Sequence, residues 1–264
     1  IGNDVVDASV LTLRVMIACL VGAITWNTIV WFFGLPGSSS HALIGGLVGA
    51  VGISAGLTAI KVPGLVKVLV ALFLVPLLSF LLGFLIMRVI LFLAQAATPR
   101  INEFFKGGQF ITAVSMALSH GANDAQKTMG VITLSLVIGG GLSSFKVQTW
   151  VILASAFAIA LGTGLGGWRL IRTLGSKFFK IRPVHSFSTQ LTSALVIIMA
   201  SLLGAPVSTS QVVSSAIIGV GSSERLGKVR WSVAGDILMA WIVTIPASAL
   251  LAAGTYWIIQ TLIE

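Results

Sequence analysis

The stretch Gly34-Leu35-Pro36-Gly37-Ser38-Ser39-Ser40-His41 returns 170 residues later as Gly204-Ala205-Pro206-Val207-Ser208-Thr209-Ser210-Gln211. Both are Gly-x-Pro-x-Ser-Ser/Thr-Ser turns set between strongly apolar segments, and the same offset pairs Gly49 with Gly219 and Pro76 with Pro246. A register kept across about 40 residues marks two copies of one structural unit rather than an accidental match.

A chain that is 56% hydrophobic and 9% charged, with a mean hydropathy of +1.06, belongs in a bilayer. Apolar runs near 15–33, 68–94, 109–141 (with a polar interruption), 148–168, 187–203 and 233–262 reach the roughly 17 to 25 residues that a helical span requires. These runs are continuous rather than alternating, which argues against a β-barrel. The expected fold is therefore an all-α integral membrane protein in which each proline turn is the tip of a helical hairpin. Pro36 and Pro206 are expected to stop the incoming helix, and the serines that follow to cap the outgoing one.

The 16 Lys and Arg against 7 Asp and Glu give a net charge of +9, and in a membrane protein this reads as the positive-inside bias rather than as affinity for nucleic acid. Arg169, Arg172, Lys177, Lys180 and Arg182 precede the second turn, and Arg225, Lys228 and Arg230 follow it. Both loops are cytoplasmic if that hairpin enters and comes back. Counting outward puts Arg100 and Lys106 inside, with Arg14, Lys61, Lys67 and Lys146 outside. The first hairpin then enters from the outside and the second from the inside, which is the inverted repeat of secondary transporters, with broken helices beside the hairpins. The repeats are expected at 1–96 and 97–264, together one transmembrane domain, in a multi-pass protein of a cell (inner) membrane.

Other polar residues receive plainer expectations. Cys19 lies in an apolar run and packs there. His41 and His120 are read as polar helix contacts, His185 as solvated in the basic loop, and Asp236 as paired with Arg230 or another loop cation. Asn27 is expected to bond across helices and Trp26 to pack.

The third apolar run carries Ser119-His120-Gly121-Ala122-Asn123-Asp124-Ala125-Gln126-Lys127-Thr128-Met129-Gly130. Subtracting 170 from Gly121 lands ahead of Ile1, so the first repeat is expected to lack its opening broken helix. The run at 121–130 resembles the second signature of the inorganic phosphate transporter (PiT) family. The likeness extends to Trp26-Asn27, to the Gly-x-Pro-x-Ser-Ser-Ser-His-Ala-Leu-Ile-Gly-Gly run ending at Gly46, to Gly204 through Gln211, and to Gly235-Asp236-Ile237 with Trp241, Thr244 and Pro246. It covers essentially the whole chain and departs from the family pattern in the missing first Asn/Asp signature. It implies a transporter of inorganic phosphate; the family likeness also includes sulfate permeases, which keeps sulfate as the alternative substrate.

The hairpin tips support an anion site without the family name. A helix start exposes unpaired N–H groups and partial positive charge. Ser38, Ser39, Ser40, Ser208, Thr209 and Ser210 add hydroxyl donors suited to phosphate oxygens. The two tips are expected to meet near the bilayer midplane. Helix ends alone do not suffice, since each contributes about 0.3 to 1 kcal/mol and at most about 2, while a buried charge costs at least about 2.5 to 3.5 kcal/mol. An inside-negative potential adds about 2.3 kcal/mol per charge per 100 mV. Cations must therefore travel with the anion. Asn123 and Asp124 are the candidate cation ligands, for Na+ as the metal or for H+, beside Gly121, where the helix could open and free carbonyl groups. Lys127 would supply fixed positive charge to phosphate or pair with Asp124. No cofactor is expected besides the coupling ion. The partners are inorganic phosphate and the lipid bilayer, with no nucleic acid, and a homodimer stays open. The chain holds no Gly-x-Ser-x-Gly elbow, Walker-type loop or Cys/His cluster, so an enzyme is not expected, and a passive anion channel lined by the serine tips is the remaining reading.

Overall fold

The computed structural model describes residues 5–204 and 207–263. Pro206, expected to stop the second incoming helix, lies outside the described residues. The elements in chain order are α1 (Leu13–Phe32), α2 (Ser39–Ser54), α3 (Val62–Leu93), α4 (Ile101–Ile138), α5 (Thr149–Gly166), the short α6 (Trp168–Arg172) continuing into a π-turn, α7 (Pro183–Leu202), α8 (Thr209–Glu224) and α9 (Trp231–Ile263). Among the described residues there is no strand, only an isolated bridge between Val6 and Ile60.

The repeat read from the turns is written into the helix bounds. Adding 170 to Leu13–Phe32 gives 183–202, the span of α7, and adding it to Ser39–Ser54 gives 209–224, the span of α8. Shifted α3 becomes 232–263, and α9 starts one residue earlier. Pro76 and Pro246 each sit inside the long helix of their copy. Gly34 and Gly204 share a left-handed backbone, with φ of 68° and 65°.

That left-handed glycine, rather than the proline, ends the first arm. The Gly34 N–H donates to the Trp31 carbonyl at 2.9 Å and the Leu35 N–H to the Val30 carbonyl at 3.1 Å, closing a Schellman motif two residues before Pro36. Gly204 repeats the inner bond, to the Ser201 carbonyl at 3.1 Å. At the other end of α1, Thr12 caps the helix, its hydroxyl accepting from the Val15 N–H at 3.3 Å.

Among the described residues five helices, α1, α3, α5, α7 and α9, are long and apolar enough to cross a membrane, and the protein is a multi-pass membrane protein. The sixth apolar run lies in α4, whose 38 residues extend about 57 Å, well beyond a hydrocarbon core of roughly 30 Å. α4 runs unbroken through Gly121, where an opening was expected. A regular helix there satisfies its own backbone, so the carbonyl groups near Asn123 remain in the helix ladder rather than free for a cation. Between the two hairpins lie α3, α4, α5 and the short α6.

The chain divides into two compact units, one formed by residues up to Val70, Ala125–Gly166 and the part from Leu238 on, the other by Ala71–Asp124 and Gly167–Ile237. Each unit draws on both sequence repeats. In the first, α2 lies against α9 so closely that a Cβ on Gly45 would come within 3.0 Å of Ile245 and Ser248, and one on Gly49 equally close to Ala249. In the second, α8 lies against α3, where a Cβ on Gly219 would meet the Phe80 backbone inside 3.0 Å. The Ser79 hydroxyl there donates to the Val212 carbonyl at 2.6 Å. Small residues allow such backbone approach, which is how helices gain packing energy in lipid.

Candidate anion and cation site

In the first unit, Ser38 has an extended backbone (φ −110°, ψ 104°), and its hydroxyl oxygen accepts from the His41 N–H at 3.3 Å, starting α2. Ser38 and Ser40 are buried, whereas Ser39 is exposed. Two indoles fasten this tip to α9. Trp241 Nε1 donates to the Pro36 carbonyl at 2.9 Å, and Trp26 Nε1 donates to Thr244 Oγ1 at 3.0 Å. Trp26, expected only to pack, is thus a hydrogen-bond donor across helices. Lys127 lies within electrostatic reach of His41, so the fixed cation and the first serine-rich helix start belong to one unit.

The second unit holds the other tip and the acidic part of the α4 motif. Ser208 is again extended (φ −95°, ψ 111°), but its hydroxyl caps nothing and instead lies 3.0 Å from Ser210 Oγ. Thr209 Oγ1 donates to Asp124 Oδ2 at 3.1 Å. The same carboxylate oxygen is 2.9 Å from His120 Nε2, and Asn123 Nδ2 is 3.3 Å from Asp124 Oδ1. Asn123 is buried and Asp124 keeps 22% of its side chain exposed. Residues 85 apart in sequence therefore meet where a polar helix start touches the Asp124 carboxylate. Among the described residues no three His, Cys, Asp or Glu gather. One carboxylate ringed by a hydroxyl and an amide is a donor set for a small monovalent cation or a proton.

Two further polar groups stand one turn into the hairpin helices. His41 Nδ1 and Gln211 Nε2 are both buried with no hydrogen-bond partner among the described residues. A buried donor left unsatisfied costs about 1 to 3 kcal/mol.

The base of the second hairpin corrects the expectation for His185. Far from solvated, it is 1% exposed, its ring edge-on to Phe179 at 5.1 Å. Its Nδ1 accepts from the Arg182 N–H at 2.9 Å, while Nε2 lies 2.8 Å from Glu224 Oε1. Glu224 also binds Arg182 and Lys228. The sequence signal was available, since Glu224 is the sole acid between 169 and 230, in a stretch crowded with cations. Asp236 departs from expectation too: it is exposed and has no ion-pair partner among the described residues.

Residues 1–99 and 93–252 match the phosphate transporter family. A protein of Rhizobium meliloti named as a probable low-affinity inorganic phosphate transporter is 44% identical, covering 97% of this chain and 78% of its own length. One of the same name from Bacillus subtilis is 42% identical over 98% of this chain and 79% of its own. A solved structure, the sodium-dependent phosphate transporter, superposes with a TM-score of 0.84 at 20% identity, covering 97% of this chain and 83% of that one, and so shares the fold. These relatives are transporters rather than enzymes, and this chain belongs to the phosphate transporter family.

Proposed function

We propose that the protein is a secondary active transporter that carries orthophosphate into the cytoplasm with Na+ or H+ across a cell inner membrane, its repeats at 1–96 and 97–264 forming one transmembrane domain. Ser38, Ser39, Ser40, Ser208, Thr209, Ser210 and Lys127 bind the phosphate, and Asn123 and Asp124 bind the coupling cation. The observation that carries this reading is the hydrogen bond from Thr209 to Asp124, which joins a serine-rich helix start to the membrane carboxylate. An anion drawn to that helix start and a cation drawn to that carboxylate are neighbours, so each offsets the other's desolvation. A phosphate near −1.5 to −2 would otherwise meet both the insertion cost and the membrane potential unaided.

Uptake into vesicles containing the purified protein, with a Na+ or H+ gradient imposed separately, tests the proposal. Phosphate should accumulate above equilibrium with one gradient and collapse when that gradient is dissipated. Equilibration without accumulation would replace the transporter with a passive channel. Stronger competition by sulfate than by arsenate would replace phosphate as the substrate.

A further inference from the structure

We infer that the base of the second hairpin is a binding surface for the phosphodiester headgroup of an anionic membrane lipid, held by Lys177, Lys180, Arg182, Arg225, Lys228 and Arg230. The inference concerns a contact with the bilayer and is independent of what the protein transports. All six residues belong to the second compact unit. In sequence they form two groups, one on either side of the hairpin, and the fold locks the groups together. The Arg230 N–H donates to the Phe178 carbonyl at 3.0 Å, and its Nη1 reaches the Lys177 carbonyl at 3.5 Å. Phe178 and Phe179, which follow Lys177 in sequence, are buried and pin that segment, and the Lys228 ammonium lies 5.3 Å from the centre of the Phe179 ring. Glu224 joins the two groups again by binding both Arg182 and Lys228.

One carboxylate does not balance six cations. Lys177, Lys180, Arg225 and Arg230 are exposed, and Arg182 keeps 56% of its side chain exposed. Like charges gathered on one surface repel one another, so the surplus favours a bound anion, and guanidinium groups match the oxygens of a phosphodiester. The hairpin fold itself does not require these cations. Subtracting 170 from the six positions gives Asp7, Val10, Thr12, Ala55, Thr58 and Ile60, with no cation among them, although the hairpin helices have the same bounds. Orienting a chain in the membrane requires only that cations stand on one side of it. It does not require that two loops interlock into one charged surface.

Two observations point to a lipid as the source of the anion. Arg182 immediately precedes α7 and Arg230 immediately precedes α9, and both helices are long and apolar enough to span, so the cations stand where hydrocarbon gives way to lipid phosphates. Apolar side chains are also exposed among the cations. Leu226 follows Arg225, and Trp231 follows Arg230, its indole Nε1 donating to the Leu226 carbonyl at 2.9 Å. A soluble anion gains nothing from these two side chains, whereas an indole and a leucine beside cations suit the boundary between headgroups and acyl chains. The turn between α8 and α9 carries an open hollow lined by Glu224, Arg225, Gly227 and Lys228, which gives the headgroup its place.

Native mass spectrometry of the purified protein in detergent, with phosphatidylglycerol and phosphatidylcholine titrated separately, tests the inference. The first phosphatidylglycerol should bind at least about tenfold more tightly than phosphatidylcholine, and the margin should shrink as salt is raised. Lys180→Gln with Arg225→Gln removes two exposed cations and leaves the Glu224 contacts in place. That pair should weaken the first phosphatidylglycerol by about tenfold or more, at about fivefold per cation, while Lys180→Arg with Arg225→Lys should keep the wild-type affinity. Arg14→Gln with Lys146→Gln makes the same change in net charge at exposed positions of the other unit and should leave the affinity nearly unchanged. Equal affinity of the wild type for the two lipids overturns the inference, and needs no variant to fold. So does an unaltered affinity in the Lys180 and Arg225 glutamine pair, or a loss of equal size in both glutamine pairs, which would reduce the preference to net charge. Displacement of phosphatidylglycerol by an equal concentration of inorganic phosphate would make this a site for a soluble anion and overturn the lipid as its occupant.

Discussion

The two hairpins have matching helix bounds and glycine turns, yet they are secured by opposite chemistry. The base of the first is closed by an apolar cluster of Val5, Val6, Leu11, Val15, Met16, Val51 and Val68, and its tip is fastened by the Trp241 and Trp26 indoles. The base of the second is closed by Glu224 with Arg182, His185 and Lys228, and its tip touches Asp124 through Thr209. Position by position, Val15 becomes His185, Ser54 becomes Glu224 and Thr12 becomes Arg182. The shared parts are those that backbone geometry dictates, since a left-handed residue and a close helix approach tolerate little but glycine. Elsewhere each copy is free to choose its own means of closure.

The shared packing gives the largest expected effect. Gly49→Val and Gly219→Val each drive a branched side chain into another helix's backbone, at Ala249 and Phe80 respectively. Each should cost about 1 to 3 kcal/mol or more, read as lost monodisperse protein after detergent extraction. Gly254→Ala, where a Cβ meets nothing within 4 Å, should extract normally. If only one of the two hairpin variants failed, the common packing of the two copies would be broken as an explanation.

Removing the acid separates the copies. In Glu224→Gln, Arg182 and Lys228 lose the carboxylate they share beside a buried imidazole, at a cost of about 1.5 to 3 kcal/mol for hydrogen bonds to a charged group. Amide exchange should rise across 211–223 and stay unchanged across 41–53. High salt should weaken the wild-type second hairpin in the same direction, since part of its closure is screened, and leave the apolar base of the first alone. Equal salt sensitivity in both would erase the contrast.

Much of this organisation was legible in the chain. Apolar runs and two proline turns gave the hairpins, because lipid leaves a polar backbone few options. The Asn123-Asp124 pair stood out as a polar interruption of an apolar run. What escaped the sequence was pairing at long range. His185 looked like a loop residue because the basic run around it suggests solvent, and only the fold brings Glu224 to it. The expected opening at Gly121 failed because a glycine permits a break without requiring one, and α4 keeps its own hydrogen bonds. Trp26 and Trp241 carried no signal for a donor role, since an indole in an apolar run is compatible with packing alone.

Those indoles supply the next contrast. Trp241→Phe keeps the ring but leaves the Pro36 carbonyl without its donor, and should destabilise the first hairpin by about 1 kcal/mol. Faster exchange confined to the region around 37–42, with the second tip unaffected, is the expected result. A change spread equally over both tips would mean that the indole serves general packing rather than this fastening.

The smallest effect separates capping from ligand binding at equivalent serines. Ser38 accepts the His41 N–H and so holds the first turn of α2, whereas Ser208 makes no such bond. Ser38→Ala should therefore lower stability by about 1 kcal/mol, while Ser208→Ala should leave the thermal midpoint nearly unchanged. If both hydroxyls also contact phosphate, both substitutions raise the half-saturation concentration, and the pair differs only in stability. Should Ser208→Ala leave uptake unaltered as well, its hydroxyl does no more than meet Ser210, and the phosphate ligands of the second tip reduce to Thr209, Ser210 and the backbone of the α8 start.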